Sequence, residues 1–145
     1  ITRLVDMGVQ PFLVASSLVG VLAQRLVRVL CSACKVPYVP TKEELTQVGI
    51  TEKVLAAAGN PKHLFKAAGC PECNKTGYRG RTGIYELMLV EDDVRQLILK
   101  NVDSNTIKKA AINRGMLTLM EHGAFKVAQG ITTDAEVMSV TSEDM

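Results

Sequence analysis

Two Cys-x-x-Cys pairs constrain this chain more than anything else in it. Cys31 and Cys34 form one pair, Cys70 and Cys73 the other, and they are all the cysteine the chain has. A two-residue gap lets the backbone turn back so that both sulfurs of a pair face one point. Two such knuckles supply the four thiolates that a structural zinc takes in a closed tetrahedral site. A pair of disulfides is the competing reading, but disulfides belong to oxidising compartments and nothing else here looks secreted. A thioredoxin-like redox pair is weaker still, since that motif occurs once, in a strand–helix setting. The 35 residues between Cys34 and Cys70 exceed the span of a zinc ribbon or finger. The expected Zn²⁺, one per chain on Cys31, Cys34, Cys70 and Cys73, therefore clamps the base of a sizeable insertion.

At 145 residues, 47% of them hydrophobic, the chain can bury the core of one ordinary domain, or of a core with one small module. That core is aliphatic, because there is no Trp and only 4% of residues are aromatic. A net charge of +2 is too small to point to nucleic acid. The charge is uneven, with 8 basic and 4 acidic residues from Cys31 to Thr82 and 6 basic and 9 acidic from Glu91 to Met145. Four thiolates on one Zn²⁺ would lower the first region by about two charges. The longest uncharged stretch, Met7 to Gln24, holds two Gln, two Ser, two Gly and a Pro, unlike the uniform apolar run of about 20 residues that crosses a bilayer. The chain opens Ile-Thr-Arg without a basic-then-apolar leader and without an initiator Met, which suggests a piece of something longer.

Along the chain, residues 2–18 read as two short helices broken at Gly8 and Pro11. Residues 19–30, rich in Val and Leu, read as a largely buried strand. A helix competes, because Leu22, Leu26 and Leu30 lie four apart. The Thr41-x-x-Glu44 capping box starts a short helix, a second fits 51–58, and Phe65 to Ala67 forms a short strand. Residues 74–83, with glycines at 77, 80 and 83, read as a tight, turn-rich connector into a strand at Ile84 to Val90. Four helices follow, from Asp92 to Asn101, from the Asp103 or Ser104 cap to before Gly115, from Thr118 to Gly130, and from Thr133. Their short loops imply a compact antiparallel bundle. The strands at 19–30 and 84–90 should be antiparallel neighbours, tied at their ends by the metal.

No Gly-x-x-x-x-Gly-Lys-Ser/Thr is present, and the glycines at 77, 80 and 83 fit neither the phosphate loop nor the dinucleotide fingerprint. Lys75, Arg79 and Arg81 could meet an anion there. His63 and His122 lack partners at metal or catalytic spacing. Arg25 and Arg28 each interrupt an apolar segment, where a guanidinium needs an anion. The choice is between a strand-end ion pair and a contact with a nucleotide or a neighbouring subunit.

The block Cys70-Pro-Glu-Cys-Asn-Lys-Thr-Gly-Tyr-Arg-Gly-Arg-Thr-Gly-Ile-Tyr-Glu86 resembles a block of the type II secretion and type IV pilus assembly ATPases. Thr2 to Phe12, and Leu22-Ala-Gln-Arg-Leu-Val-Arg28 ahead of the first knuckle, resemble the part just after the catalytic motifs of those enzymes. The secretion (GspE) subgroup is the nearer match and the PilB-type pilus ATPases are next. The resemblance implies an α/β fragment in which residues 1–30 end a RecA-like ATPase core, 31–81 form the tetracysteine zinc insertion, 82–91 return a strand to the core sheet, and 92–145 make a C-terminal helical subdomain. It implies that the whole protein is a homo-hexamer using ATP and Mg²⁺. That protein would sit in the cytoplasm, peripheral at the inner membrane of a Gram-negative bacterium, and work with inner-membrane secretion platform proteins and no nucleic acid. The phosphate loop and the membrane-anchoring domain would lie ahead of Ile1, so this piece alone would be inactive. The tail Met138 to Asp144 departs from the family's more Arg-rich ending. A zinc-ribbon-like RNA-binding module or an adaptor is the alternative. RNA binding asks for a basic face with stacking aromatics, and of the tyrosines only Tyr78 lies among basic residues.

Overall fold

A computed structural model describes residues 1–142; the last part of the tail discussed above lies outside the described residues. The first helices are α1 (Thr2–Asp6) and α2 (Pro11–Ser17), broken where expected, with Pro11 opening α2. Proline at the first helical position loses no intrahelical bond, since that N–H has no partner in any case. Strand β1 (Gly20–Leu30) follows. The four-residue leucine spacing that favoured a helix is outweighed by pairing with β4 (Tyr78–Leu89). The pair is antiparallel, because Val90 N–H donates to the Val19 carbonyl at 2.9 Å and Cys31 N–H to the Gly77 carbonyl at 3.0 Å.

Two expectations fail here. Most of β1 is exposed, not buried. The glycine-rich connector is shorter than expected: residues 74–77 turn, and the strand begins at Tyr78 rather than at Ile84. Between the two terminal bonds β4 carries one residue more than β1. Gly80, at φ +82° within β4, takes up the extra residue as a bulge that a side chain would resist.

Between β1 and β4 lie β2 (Val36–Tyr38), α3 (Lys42–Val48), α4 (Glu52–Ala57) and β3 (Leu64–Lys66). β2 pairs antiparallel with β3, Pro37 opposite Phe65. The Thr41 capping box forms in full: its hydroxyl accepts from Glu44 N–H at 3.2 Å and its N–H donates to the Glu44 carboxylate at 2.9 Å. Thr51 caps α4 in the same way through Val54 N–H. After β4 come α5 (Asp92–Leu99), α6 (Ser104–Asn113), α7 (Leu119–Ala128) and α8 (Asp134–Thr141).

The chain divides into two compact units, residues 1–23 with 86–118 and residues 24–85 with 119–145. In the first, α5 packs on α2 and α6 around a core of Val14, Ala15, Val90, Val94, Ile98 and Ile107. Arg114, just past α6, reaches Asp93 and Glu91 at the start of α5, where negative charge also suits the helix dipole. In the second, α7 packs on α8, α4 and β3, and α8 on α3. Of the last four helices, α5 packs with α6 and α7 with α8. Each pair follows its own apolar face into a different unit.

Within the second unit, Gly123 of α7 is buried, and a Cβ there would lie 2.5 Å from Val137 of α8. Alanine is the better helix former, yet we expect Gly123→Ala to destabilise the chain by about 1–3 kcal/mol through overpacking. A thermal melt in which the variant is as stable as wild type would contradict this packing.

His122, also on α7, accepts Tyr85 N–H at 2.9 Å through Nδ1. That contact requires an unprotonated Nδ1. Burial first, then nearby Lys126, holds the His122 pKa below its ordinary value. The unfolded chain takes up this proton first, so stability is complete above about pH 6.5 and falls as pH drops below it. Melting temperature should decline as pH falls below about 6.5, and decline less in His122→Gln. An identical pH slope in the two proteins would count against the contact.

Candidate metal centre

Each knuckle is built by its own turn. In the first, Cys34 and Lys35 donate N–H bonds to the Cys31 carbonyl at 3.3 and 3.0 Å. In the second, Pro71–Cys73 forms a 3-10 turn, and Asn74 and Lys75 both adopt left-handed backbone, swinging the chain around so that Lys75 N–H reaches the Cys70 carbonyl at 2.8 Å. Gly77 lies where a Cβ would come within 2.6 Å of Ala67, so the strand leaving the knuckle passes the strand entering it only without a side chain. The β2–β3 ladder, one strand starting just after the first knuckle and the other ending just before the second, holds the two turns together.

All four sulfurs lie within 4.8 Å of one another. Cys31–Cys70, Cys34–Cys73 and Cys70–Cys73 are each 3.8 Å apart. A tetrahedron with metal–sulfur bonds of 2.3 Å has edges of about 3.8 Å, whereas a disulfide needs about 2.05 Å. The four thiols are free and spaced for a shared cation. Cys31 and Cys73 are buried and Cys34 and Cys70 half-buried. Among the described residues this is the sole metal-type cluster, and it includes neither histidine.

Backbone donors prepare the sulfurs for negative charge. Gly69 N–H points at the Cys34 sulfur at 3.3 Å, and Cys70 and Gly77 N–H point at the Cys73 sulfur at 3.3 and 3.2 Å. Desolvation opposes ionisation of Cys73, but the two N–H bonds, with the Cys70 and Cys34 thiols, outweigh it and its pKa falls to about 6. Burial pushes the Cys34 thiol up to about 11. One thiolate forms readily and further ones meet rising repulsion, so full ionisation of the set calls for a cation at its centre.

The two strand arginines fare differently. Arg28 is held by Glu136 of α8. Its side chain donates to Oε1 at 2.9 and 2.7 Å, and its backbone N–H donates to Oε2 at 2.8 Å. Its guanidinium lies 4.2 Å over the Tyr78 ring. Tyr78 Oη lies 2.9 Å from Thr133 Oγ1, and Thr133 caps α8 by accepting Glu136 N–H at 3.3 Å. Burial alone would raise the Glu136 pKa, but the Arg28 bonds hold it below the usual carboxylate range. Arg25 donates to the Gln24 carbonyl at 3.0 Å. Arg79 meets Glu72 at 3.6 Å with both side chains well exposed, a pair worth little.

Sequence reasoning missed the Glu136 partnership. The Thr133-x-x-Glu136 pattern signals a capping box, and only its Thr half forms, because the carboxylate reaches back to β1 instead. It also missed Lys35, which donates to the Gly130 carbonyl at the end of α7 at 3.0 Å and sits 4.3 Å over the Phe65 ring.

Residues 1–139 match the family profile described as Type II/IV secretion system protein. Over 143 residues the chain is 48% identical to the type II secretion system ATPase E of Vibrio cholerae, covering 99% of this chain and 27% of that protein. It is 46% identical over 144 residues to the type II secretion system protein E of Pseudomonas aeruginosa, with 99% and 27% covered. It is 45% identical over 143 residues to the type IV pilus assembly ATPase PilB of Thermus thermophilus, with 99% and 16% covered. The chain thus spans about a quarter or less of the length of these relatives.

The geometry makes a direct prediction. Cys70→Ser, or removal of metal with a chelator, should unfold α3, α4, α7 and α8 together, because these helices pack on one another around the knuckles. The helices α1, α2, α5 and α6 should keep their amide protection. Hydrogen exchange showing α7 and α8 still protected without the metal would contradict this coupling.

Proposed function

Because the chain belongs to the type II/IV secretion system protein family, we propose that it is the C-terminal portion of a cytoplasmic hexameric ATPase that powers pseudopilus assembly in type II protein secretion. The observation that carries this reading is 46–48% identity across 99% of the chain to relatives named for type II secretion. Strands β1 and β4 would close the sheet of a RecA-like core, and the four cysteines would hold a structural zinc. A donor set of four sulfurs leaves a tetrahedral ion no position for water or substrate, so the ion supplies rigidity and no step of the reaction. The chain's own residues, through the N–H bonds of Gly69, Cys70 and Gly77, orient and stabilise the thiolates.

Hydrolysis asks for a backbone cradle, a phosphate-binding Lys and a Ser/Thr on Mg²⁺. No Gly-x-x-x-x-Gly-Lys-Ser/Thr occurs in the 145 residues, so ATP and Mg²⁺ would be held by the rest of the protein. Arg25 and Arg28 are the candidates for contact with a nucleotide or a neighbouring subunit, and Arg28 would make it while paired to Glu136. Among the described residues no helix is long and apolar enough to cross a membrane, consistent with a peripheral place at the inner membrane beside the secretion platform. Tyr78, the one tyrosine set among basic residues, has a face covered by Arg28, which weakens the RNA-binding alternative.

The full-length protein should release phosphate from Mg-ATP, and the 145-residue chain alone should not. Full-length protein with Cys31→Ser and Cys34→Ser should lose bound zinc, hexamer formation and secretion. Normal secretion by that variant would remove the assembly role of the zinc module, and turnover by the isolated chain would overturn the reading as a whole.

A further inference from the structure

We propose that the turn between α7 and α8 is the outer support of the metal centre, a clamp that holds the first knuckle in place around the ion, with Lys35 as its positioning residue. This deepens, and rests on, the reading of the four cysteines as a zinc site. The end of α7 builds the turn. Gly130 N–H donates to the Val127 carbonyl at 2.9 Å and Ile131 N–H to the Lys126 carbonyl at 3.1 Å. With Gly130 in left-handed backbone at φ +77°, this is a Schellman ending. The carbonyls of Gly130 and Ile131 come after the helix and point to partners outside it.

Those partners are the two residues that bracket the first knuckle. Leu30, just before Cys31, donates its N–H to the Ile131 carbonyl at 2.8 Å. Lys35, just after Cys34, donates through Nζ to the Gly130 carbonyl at 3.0 Å. The next residue of the turn, the fully buried Thr132, donates its hydroxyl to the Arg28 carbonyl at 2.7 Å. Three successive residues of one turn therefore hold the chain on both sides of Cys31-x-x-Cys34. The same lysine reaches the strand that leads to the second knuckle, since its Nζ lies 4.3 Å over the Phe65 ring of β3. A Cβ on Gly130 would come within 2.8 Å of that ring, so the close approach of turn, lysine and β3 requires glycine there.

The choice of lysine has an electrostatic reason. Four thiolates on Zn²⁺ leave about two negative charges, and Lys35 is the cation next in the chain to a ligand. A cation also suits the C-terminal end of α7 and the face of an aromatic ring. Partners that fix metal ligands from outside the coordination sphere commonly govern affinity by 10–100-fold. Lys35 meets that description: it touches no ion, and it ties the knuckle to a turn fixed by its own helix.

Transfer of zinc from the full-length protein to a chromophoric chelator tests this. Lys35→Met keeps an apolar stem against Phe65 and removes the donor and the charge. It should release zinc on the order of 10-fold faster than wild type, and Lys35→Arg, which keeps both, should restore most of the difference. Thr51→Ala is the control, because it removes the cap of α4, a bond of similar worth elsewhere in the same unit. With cadmium in place of zinc, the cadmium NMR resonance should move in Lys35→Met and stay in Thr51→Ala, a difference that general loss of stability would not produce. Equal release by Lys35→Met and Thr51→Ala, or no rescue by arginine, would overturn the inference. If Lys35→Met holds no metal while Thr51→Ala does, the clamp is upheld; if neither holds metal, it falls. Wild-type protein without zinc would remove the zinc reading itself, whereas loaded wild type with unchanged release in Lys35→Met would remove the clamp alone.

Discussion

Convergence of four sulfurs is the constraint from which the second unit follows. A ladder of three residues per strand and two short helices cannot by themselves fix the ends of a 35-residue loop, and closing such a loop costs chain entropy. A cation held by four thiolates contributes roughly 10–16 kcal/mol in small domains that fold only with metal, against the 5–15 kcal/mol net stability of whole domains. The backbone is arranged for that charge in advance, with three N–H groups aimed at sulfur. The energetics point to a module whose folding and metal loading are one event.

The second organising contact is polar. Arg28, between the Tyr78 ring and the Glu136 carboxylate, joins β1, β4 and α8 at one place. Thr132 and Thr133 complete it from the turn before α8. Arginine suits this position because its planar fork can bind a carboxylate and stack on an aromatic face at once, which lysine cannot do. The same carboxylate that neutralises the guanidinium also closes the backbone edge of β1, so one residue, Glu136, sets both charge balance and strand pairing.

Much of this was legible in the residues. The cysteine spacing located the cluster of four sulfurs, Thr41-x-x-Glu44 located a helix start, and Gly8 with Pro11 located the break between α1 and α2. What was not legible depended on distant partners. The exposure of β1 could not be read, because its composition describes a strand with cover on both sides. The glycines at 80 and 83 resemble loop residues until pairing with β1 draws them into a strand as a bulge and a close-packed position. The division of the last four helices between two units is likewise set by tertiary contacts, since capping boxes and loop lengths describe where helices start and leave open what they pack against.

X-ray absorption at the zinc edge of the purified protein tests the central claim most directly. The account predicts one zinc per chain with a single shell of four sulfurs at about 2.3 Å. A shell containing nitrogen or oxygen, or protein without zinc whose cysteines are joined as disulfides, would contradict it.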